Sequence, residues 1–163
     1  MNSNGQFLTL YSYHFDTTYR LIALVEALPA TSYPSPEDGA PSTVDMLYHI
    51  LDTGRGWRIA LETGRRPERL RREDYADLAA LKRGFEQEQA AWEAFLTGLD
   101  EDQIGGEIEL QAGPDRVFRF GRWQVLYHVV LHGMQHHAEI AALLTDQGLS
   151  PGDIDFIFYA LGR

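Results

Sequence analysis

Apolar residues recur at helical spacing through most of this 163-residue chain. An apolar stripe with a period near 3.6 residues predicts an amphipathic helix that buries one face. The pattern predicts four long helices, over residues 6–28, 43–63, 73–98 and 123–147. Glycine often ends a helix, and it lies at the end of the last three, as Gly64, Gly98 and Gly148. Ser42 or Thr43 is the expected N-cap of the second helix.

The segment before the last long helix follows a different pattern. Residues 106–121 alternate between apolar and polar side chains on both sides of Gly113-Pro114-Asp115, which predicts a small β-hairpin. Residues 31–41 are rich in proline and serine and are predicted to form a loop. Residues 153–161 are apolar enough to pack on the body as a short helix or an extended segment.

Together these elements predict an all-α fold. We expect a four-helix bundle with a small β-hairpin before the last long helix, in one domain over residues 1–163.

Helices one to three carry more aromatic residues than a bundle interior is expected to hold. We therefore expect some of them to be exposed and to favour a homodimer: Tyr11, Tyr13, Tyr19, Tyr75, Phe85 and Trp92.

The composition excludes several classes of function. A net charge of −10 argues against binding to nucleic acid or to an anionic membrane. The basic run over residues 65–72 is interpreted as a solvated loop that balances nearby acids. The absence of cysteine excludes disulfides, thiolate nucleophiles and cysteine-ligated zinc, and it fits a reducing cytoplasm. The sequence suggests no signal peptide and no membrane span, so a cytoplasmic protein is expected.

Four of the six histidines fall within residues 128–137. His128, His132 and His136 recur every fourth residue, and steps of four drift by only about 40° around a helix. Two histidines at this spacing can bind one divalent metal ion. His49, on the inner face of the second predicted helix, is the candidate third ligand. The alternative is that these histidines are hydrogen-bonded core residues.

Two other kinds of metal site fit the sequence less well. A zincin has a glutamate directly after its first histidine, whereas Gly133 follows His132 here. Ferritin-like di-iron sites use Glu-x-x-His pairs on two helices, and the chain has neither pair.

Glu139 is the acid nearest to the histidine ridge, about 20° around the helix from His132. It is the candidate catalytic residue, as a general base or as a group that orients a ligand, and the alternative is an ordinary surface glutamate. His128 and His14 are candidate pocket residues, although His14 could equally be a packed core histidine.

Three segments of the chain resemble the DinB/YfiT-like family. They are the aromatic-rich opening helix, the Leu47-Tyr48-His49-Ile50 stretch, and the His132-x-x-x-His136 pair of the last long helix. The resemblance implies a bundle in which His49, His132 and His136 hold a divalent ion, commonly zinc or nickel. The chain departs from the usual continuation, with His137 where arginine is common and Glu139 where glutamine is common.

Two classes of function follow from these residues and the resemblance. The first is a metal-dependent enzyme acting on a small molecule, either a hydrolase or a transferase that uses a low-molecular-weight thiol. The second is a non-catalytic metal-binding protein of the stress response. A structural bundle without metal would leave the histidine ridge unexplained. The resemblance also points to a homodimer.

Overall fold

The computed structural model describes residues 3–29, residue 33 and residues 39–162. The predicted loop over 31–41 therefore lies largely outside the described residues. The elements, in chain order, are α1 (Ser3–Glu26), α2 (Thr43–Thr63), a 3-10 turn (Arg72–Tyr75), α3 (Leu78–Thr97), α4 (Glu101–Gly105), β1 (Glu107–Gln111), β2 (Val117–Gly121), α5 (Arg122–Asp146) and α6 (Phe156–Ala160).

The four long helices form the predicted bundle. Helix α1 packs mainly against α3 and α5, and α2 packs mainly against the same two helices. Their apolar faces meet in one core whose largest fully buried side chains include Trp92, Phe85, Leu21, Ile22, Leu47, Leu51, Leu81, Leu126 and Ile140. The pairing of α2 with α5 places the second-helix histidine beside the histidine ridge.

Local capping residues set the ends of α2 and α5. Ser42 and Asp45 form a capping box at the start of α2, and Gly64 ends the helix at a φ of 73°. At the end of α5, Gly148 has a φ of 78° and the Leu149 N–H donates to the Leu144 carbonyl oxygen over 2.9 Å. Glycine reaches this left-handed conformation without steric cost, so both predicted helix ends are confirmed.

The predicted third helix is wrong in its first turn and a half. Residues 72–75 form a separate 3-10 turn, and α3 begins at Leu78. The break comes from Asp77, whose side chain accepts a hydrogen bond from the Ala80 N–H over 2.7 Å and so caps α3. The turn folds back on α3, where a Cβ on Gly84 would lie 2.7 Å from Tyr75 Cε1. The short helix α4 was not predicted from the sequence.

The small hairpin is confirmed, and the apolar tail forms a short helix. Strands β1 and β2 pair antiparallel, with Glu109 opposite Arg119. Helix α6 packs its Phe156 and Tyr159 rings against Tyr13 of α1. No helix among the described residues has the length and apolar character that a membrane crossing requires.

The expectation that aromatic residues of the first three helices lie exposed is wrong. Tyr11, Tyr13, Phe85 and Trp92 are buried, and Tyr19 and Tyr75 are half-buried. Tyr11 and Trp92 pack on each other in the core, and Tyr13 is covered by Phe156 and Tyr159 of α6. Large apolar side chains are instead exposed along α5, at Trp123, Tyr127 and Leu131.

Candidate metal centre

Three histidines from two neighbouring helices meet in one half-buried site. His49 comes from α2, and His132 and His136 come from α5. Each offers one ring nitrogen, and the three nitrogens lie within 4.8 Å of one another. The structure thus brings together the three residues that the sequence analysis selected, in a group that could hold a metal ion.

The spacing within this triad fits a shared ion. The Nε2 atoms of His49 and His132 are 3.1 Å apart. Two nitrogen ligands of a tetrahedral zinc ion, each about 2.0–2.1 Å from it, lie about 3.3–3.4 Å apart. The ring centroids of the triad are separated by 4.7 to 5.1 Å, so the rings crowd around one point. Three imidazoles are also a donor set that divalent transition metals accept.

Glu139 fixes the orientation of one member of the triad. The Nδ1–H of His136 donates to Glu139 Oε2 over 2.7 Å, which leaves Nε2 as the nitrogen available to a metal. The other carboxylate oxygen accepts a bond from Gln135. Burial alone would raise the pKa of Glu139, but these hydrogen bonds outweigh it and hold the pKa below its usual range. The carboxylate is therefore ionised near neutral pH and can accept both of these hydrogen bonds.

Two members of the triad are held neutral. Burial, together with the neighbouring His136, His49 and His128, lowers the pKa of His132 to about 4. Burial and the neighbouring His136 also lower the pKa of His49. A histidine must lose its proton before it can bind a metal, so a lowered pKa keeps these ligands in the binding form at pH 7.

The two candidate pocket histidines lie in different surroundings. His128 is exposed, stacks on His132 with ring centroids 5.7 Å apart, and meets the edge of the Trp57 ring at 5.4 Å. His14 is only 4% exposed and stacks on His137, with ring centroids 4.9 Å apart. Burial lowers its pKa to about 4. His14 thus lies in the core between α1 and α5, behind the triad.

His137 is a buried histidine whose place the sequence analysis did not find. It is fully buried, and its Nε2 lies 2.8 Å from the Thr18 hydroxyl oxygen. The sequence does contain a pattern that predicts its burial. Val125, Val129, Gly133 and His137 are spaced four residues apart, which places His137 within the apolar stripe of α5. Burial lowers the pKa of His137 well below its usual value, so this imidazole is neutral.

Two cavities each include one histidine of the triad in their walls. One, of about 500 Å³, is lined by His136 and Glu139 of α5 together with mainly apolar neighbours such as Met46 and Leu143. The other, of about 270 Å³, is lined by His49 and by the loop that follows α2. A small molecule can therefore approach the triad from either side.

Comparison with known proteins relates this arrangement to one family. A family model described as the DinB superfamily matches residues 16–140. Among solved structures, the chain is similar to the DinB-like protein YjoA of Bacillus subtilis, with 16% identity and a TM-score of 0.65 over 88% of this chain and 92% of the other. At that identity the likeness concerns the fold. No curated protein matches the sequence.

Proposed function

This chain belongs to the DinB superfamily, and on that premise we propose that it is a metal-dependent enzyme acting on a small molecule. His49, His132 and His136 would hold one divalent ion. The observation that carries the proposal is the meeting of their three ring nitrogens within 4.8 Å, at a half-buried point between two cavities. A site meant only to hold a metal has no need of such access.

Zinc or nickel is the proposed ion. Neutral imidazole suits both, and the triad contains no sulfur or carboxylate ligand that would favour another class of metal. Such an ion supplies an electrophilic centre with open positions, which can activate water or stabilise a thiolate. The protein keeps His49 and His132 neutral through burial, and it orients the His136 ring through the hydrogen bond to Glu139.

Glu139 has two proposed roles that lead to different reactions. Its hydrogen bond to His136 Nδ1 makes it a positioning residue for that ligand. Because it also lines the 500 Å³ cavity, it could take a proton from a water molecule that enters there, as a general base does in a hydrolase. A thiol transferase would not need that base, since the charge of the ion stabilises the thiolate.

The experiment that tests the proposal compares Glu139→Gln and Glu139→Ala with the wild type. Ester hydrolysis would be followed with 4-nitrophenyl acetate, and thiol transfer with a reduced thiol and 1-chloro-2,4-dinitrobenzene. Glutamine keeps an oxygen that can accept the His136 Nδ1–H, so Glu139→Gln should retain metal affinity. It should slow a hydrolase by roughly 10²–10⁴-fold and leave a thiol transferase almost unchanged.

Glu139→Ala removes the acceptor altogether. It should lower metal affinity by about 10–100-fold in either mechanism, the usual cost of losing such a partner. Equal activity of the wild type with and without bound metal would contradict both mechanisms. That outcome would favour the alternative, a non-catalytic metal-binding protein of the stress response.

The proposed setting follows from the same residues. A small-molecule substrate fits the size of the cavities. We place the protein in the cytoplasm, where a low-molecular-weight thiol stays reduced. We retain the homodimer as a proposal, now on the exposed apolar side chains of α5 and not on the aromatic residues of α1 and α3.

A further inference from the structure

A cavity of about 270 Å³ shares one wall with the candidate metal centre. His49, Asp52 and Gly56 of α2 line one side, and Arg66, Glu68 and Arg69 of the following loop line the other. A molecule that places one group beside His49 would therefore extend along this loop. The loop belongs to the basic run that the sequence analysis interpreted as a solvated segment.

The two arginines of this cavity differ in their partners. Arg69 Nε donates to Asp52 Oδ2 over 2.8 Å, and the same carboxylate accepts the Leu70 N–H over 2.8 Å. Arg66 forms no ion pair or hydrogen bond within the described residues. The remaining acid, Glu68, is exposed and lines the same cavity. The negative charge of Asp52 is thus already paired with Arg69, whereas the positive charge of Arg66 is available to a bound anion.

Arg66 is held in place by an aromatic ring. Its guanidinium carbon lies 4.1 Å from the centre of the Trp57 ring, within the range of a cation–π contact. Trp57 in turn meets the edge of His128, which stacks on His132 of the triad. A guanidinium that lies over a ring keeps N–H groups free for other partners, and an oxyanion can accept two of them.

The electrostatics agree with this position. Burial lowers the pKa of Arg66, and the nearby Asp52 opposes that effect. Burial and then the charge of Arg66 lower the pKa of His128. Arg66 is exposed and shares the cavity wall with His49 and Asp52, and its charge is not taken up by an ion pair within the described residues.

We propose that Arg66 binds an oxyanion, such as a carboxylate, carried by the molecule whose reacting group reaches the His49–His132–His136 triad. This inference rests on the proposed function and narrows it, because it makes the substrate or the thiol an anion. Arg69, Arg71 and Arg72 do pair with nearby acids, as the sequence analysis expected. Arg65 and Arg66 form no such pair within the described residues, and of these two only Arg66 lines the cavity beside His49.

Binding of paired thiols to the cobalt(II)-loaded protein tests the proposal. Cobalt absorbs visible light, and a thiolate that binds it changes the spectrum. The probes are ω-mercaptocarboxylates from 3-mercaptopropionate to 6-mercaptohexanoate, each paired with its neutral amide. The variants are Arg66→Gln and Arg66→Lys, with Arg65→Gln as the matched control, because it removes the same charge from the neighbouring exposed residue.

The wild type should bind one carboxylate of the series about tenfold more tightly than its amide, as expected for one charge-assisted contact. Arg66→Gln should lose that preference, Arg66→Lys should keep part of it, and Arg65→Gln should keep all of it. An unchanged preference in Arg66→Gln, or no preference at any chain length in the wild type, would overturn the proposal.

A wild type that binds no cobalt would contradict the proposed function and leave the anion site to a separate measurement. In that case inorganic phosphate would be titrated into the metal-free protein and followed by phosphorus NMR. Weaker binding to Arg66→Gln than to Arg65→Gln would support the anion site, and equal binding would overturn it.

Discussion

His136 and His137 are adjacent in the chain but face different helices. Neighbouring residues of an α-helix point about 100° apart, so a helix packed between two others presents them to different partners. His136 joins His49 of α2, whereas His137 stacks on His14 of α1 and contacts Thr18. One step along α5 thus separates a candidate metal ligand from a core residue.

The buried pair of His14 and His137 makes the stability of the metal-free protein sensitive to acid. The pKa of His14 in the folded protein is about 4, whereas the unfolded value is near 6.5. As the pH falls, the unfolded chain takes up the proton first, so stability present above pH 6.5 is lost between pH 6.5 and 4. For His14 alone, the loss between pH 7.5 and 5 should be about 2 kcal/mol.

Urea unfolding of the metal-free protein at pH 7.5 and 5.0 measures this loss. His14→Gln removes the titrating group, so the difference between the two pH values should shrink by about 2 kcal/mol, whatever the variant's absolute stability. An identical difference in the variant and the wild type would show that His14 is not held neutral by the fold.

At the residue scale, the sequence predicts those residues whose spacing alone places them. His132 and His136 follow from a four-residue step, and His49 follows from its place on the inner face of α2. Arg66 could not be predicted, because its role depends on how an irregular loop returns to Trp57 and no periodicity describes that path.

At the element scale, close packing of α5 against α1 depends on one glycine. A Cβ on Gly133 would lie 2.2 Å from His14 Cε1 and 2.6 Å from His14 Nδ1. Because His14 is buried and stacked on His137, its ring has little room to yield. Gly133 is therefore required by packing, although glycine in the middle of a helix costs stability.

Gly133→Ala should lower the free energy of unfolding by about 1–3 kcal/mol, the usual cost of overpacking a core. Gly56→Ala is the matched control, since it is also a mid-helix glycine and a Cβ there would meet nothing within 4 Å. The control should be more stable by about 0.5–1 kcal/mol. Equal stability of Gly133→Ala and the wild type in denaturant unfolding would argue against this contact.

Helix boundaries could be predicted wherever a cap is local. Ser42, Gly64 and Gly148 act through hydrogen bonds within their own turns. The break before α3 was missed because Asp77 falls inside an otherwise periodic pattern. Its capping role becomes visible only when the preceding turn packs back on Gly84.

At the scale of the whole molecule, the four apolar helix faces carry the fold, and the triad lies between two of them. We propose that the homodimer forms through the side chains exposed along α5. Trp123, Tyr127 and Leu131 recur every fourth residue there, and Leu131 is 66% exposed. Covering such a stripe with a second copy would remove apolar surface from water.

Light scattering at micromolar concentration tests this surface. The wild type should have the mass of a dimer, and Leu131→Glu should shift it towards the monomer. Ala90→Glu, an equally charged change at an exposed position of α3, should leave the mass unchanged. A monomeric wild type would contradict the proposed homodimer.

The proposed metal site is tested most directly by the metal stoichiometry of protein purified without a histidine tag. The wild type should bind one divalent ion per chain, whereas His132→Ala should bind none and should keep its helical circular dichroism, because the bundle core does not depend on that side chain. A metal-stripped wild type that takes up neither zinc nor nickel would show that His49, His132 and His136 form no metal site, and so would a His132→Ala variant that binds metal as tightly as the wild type.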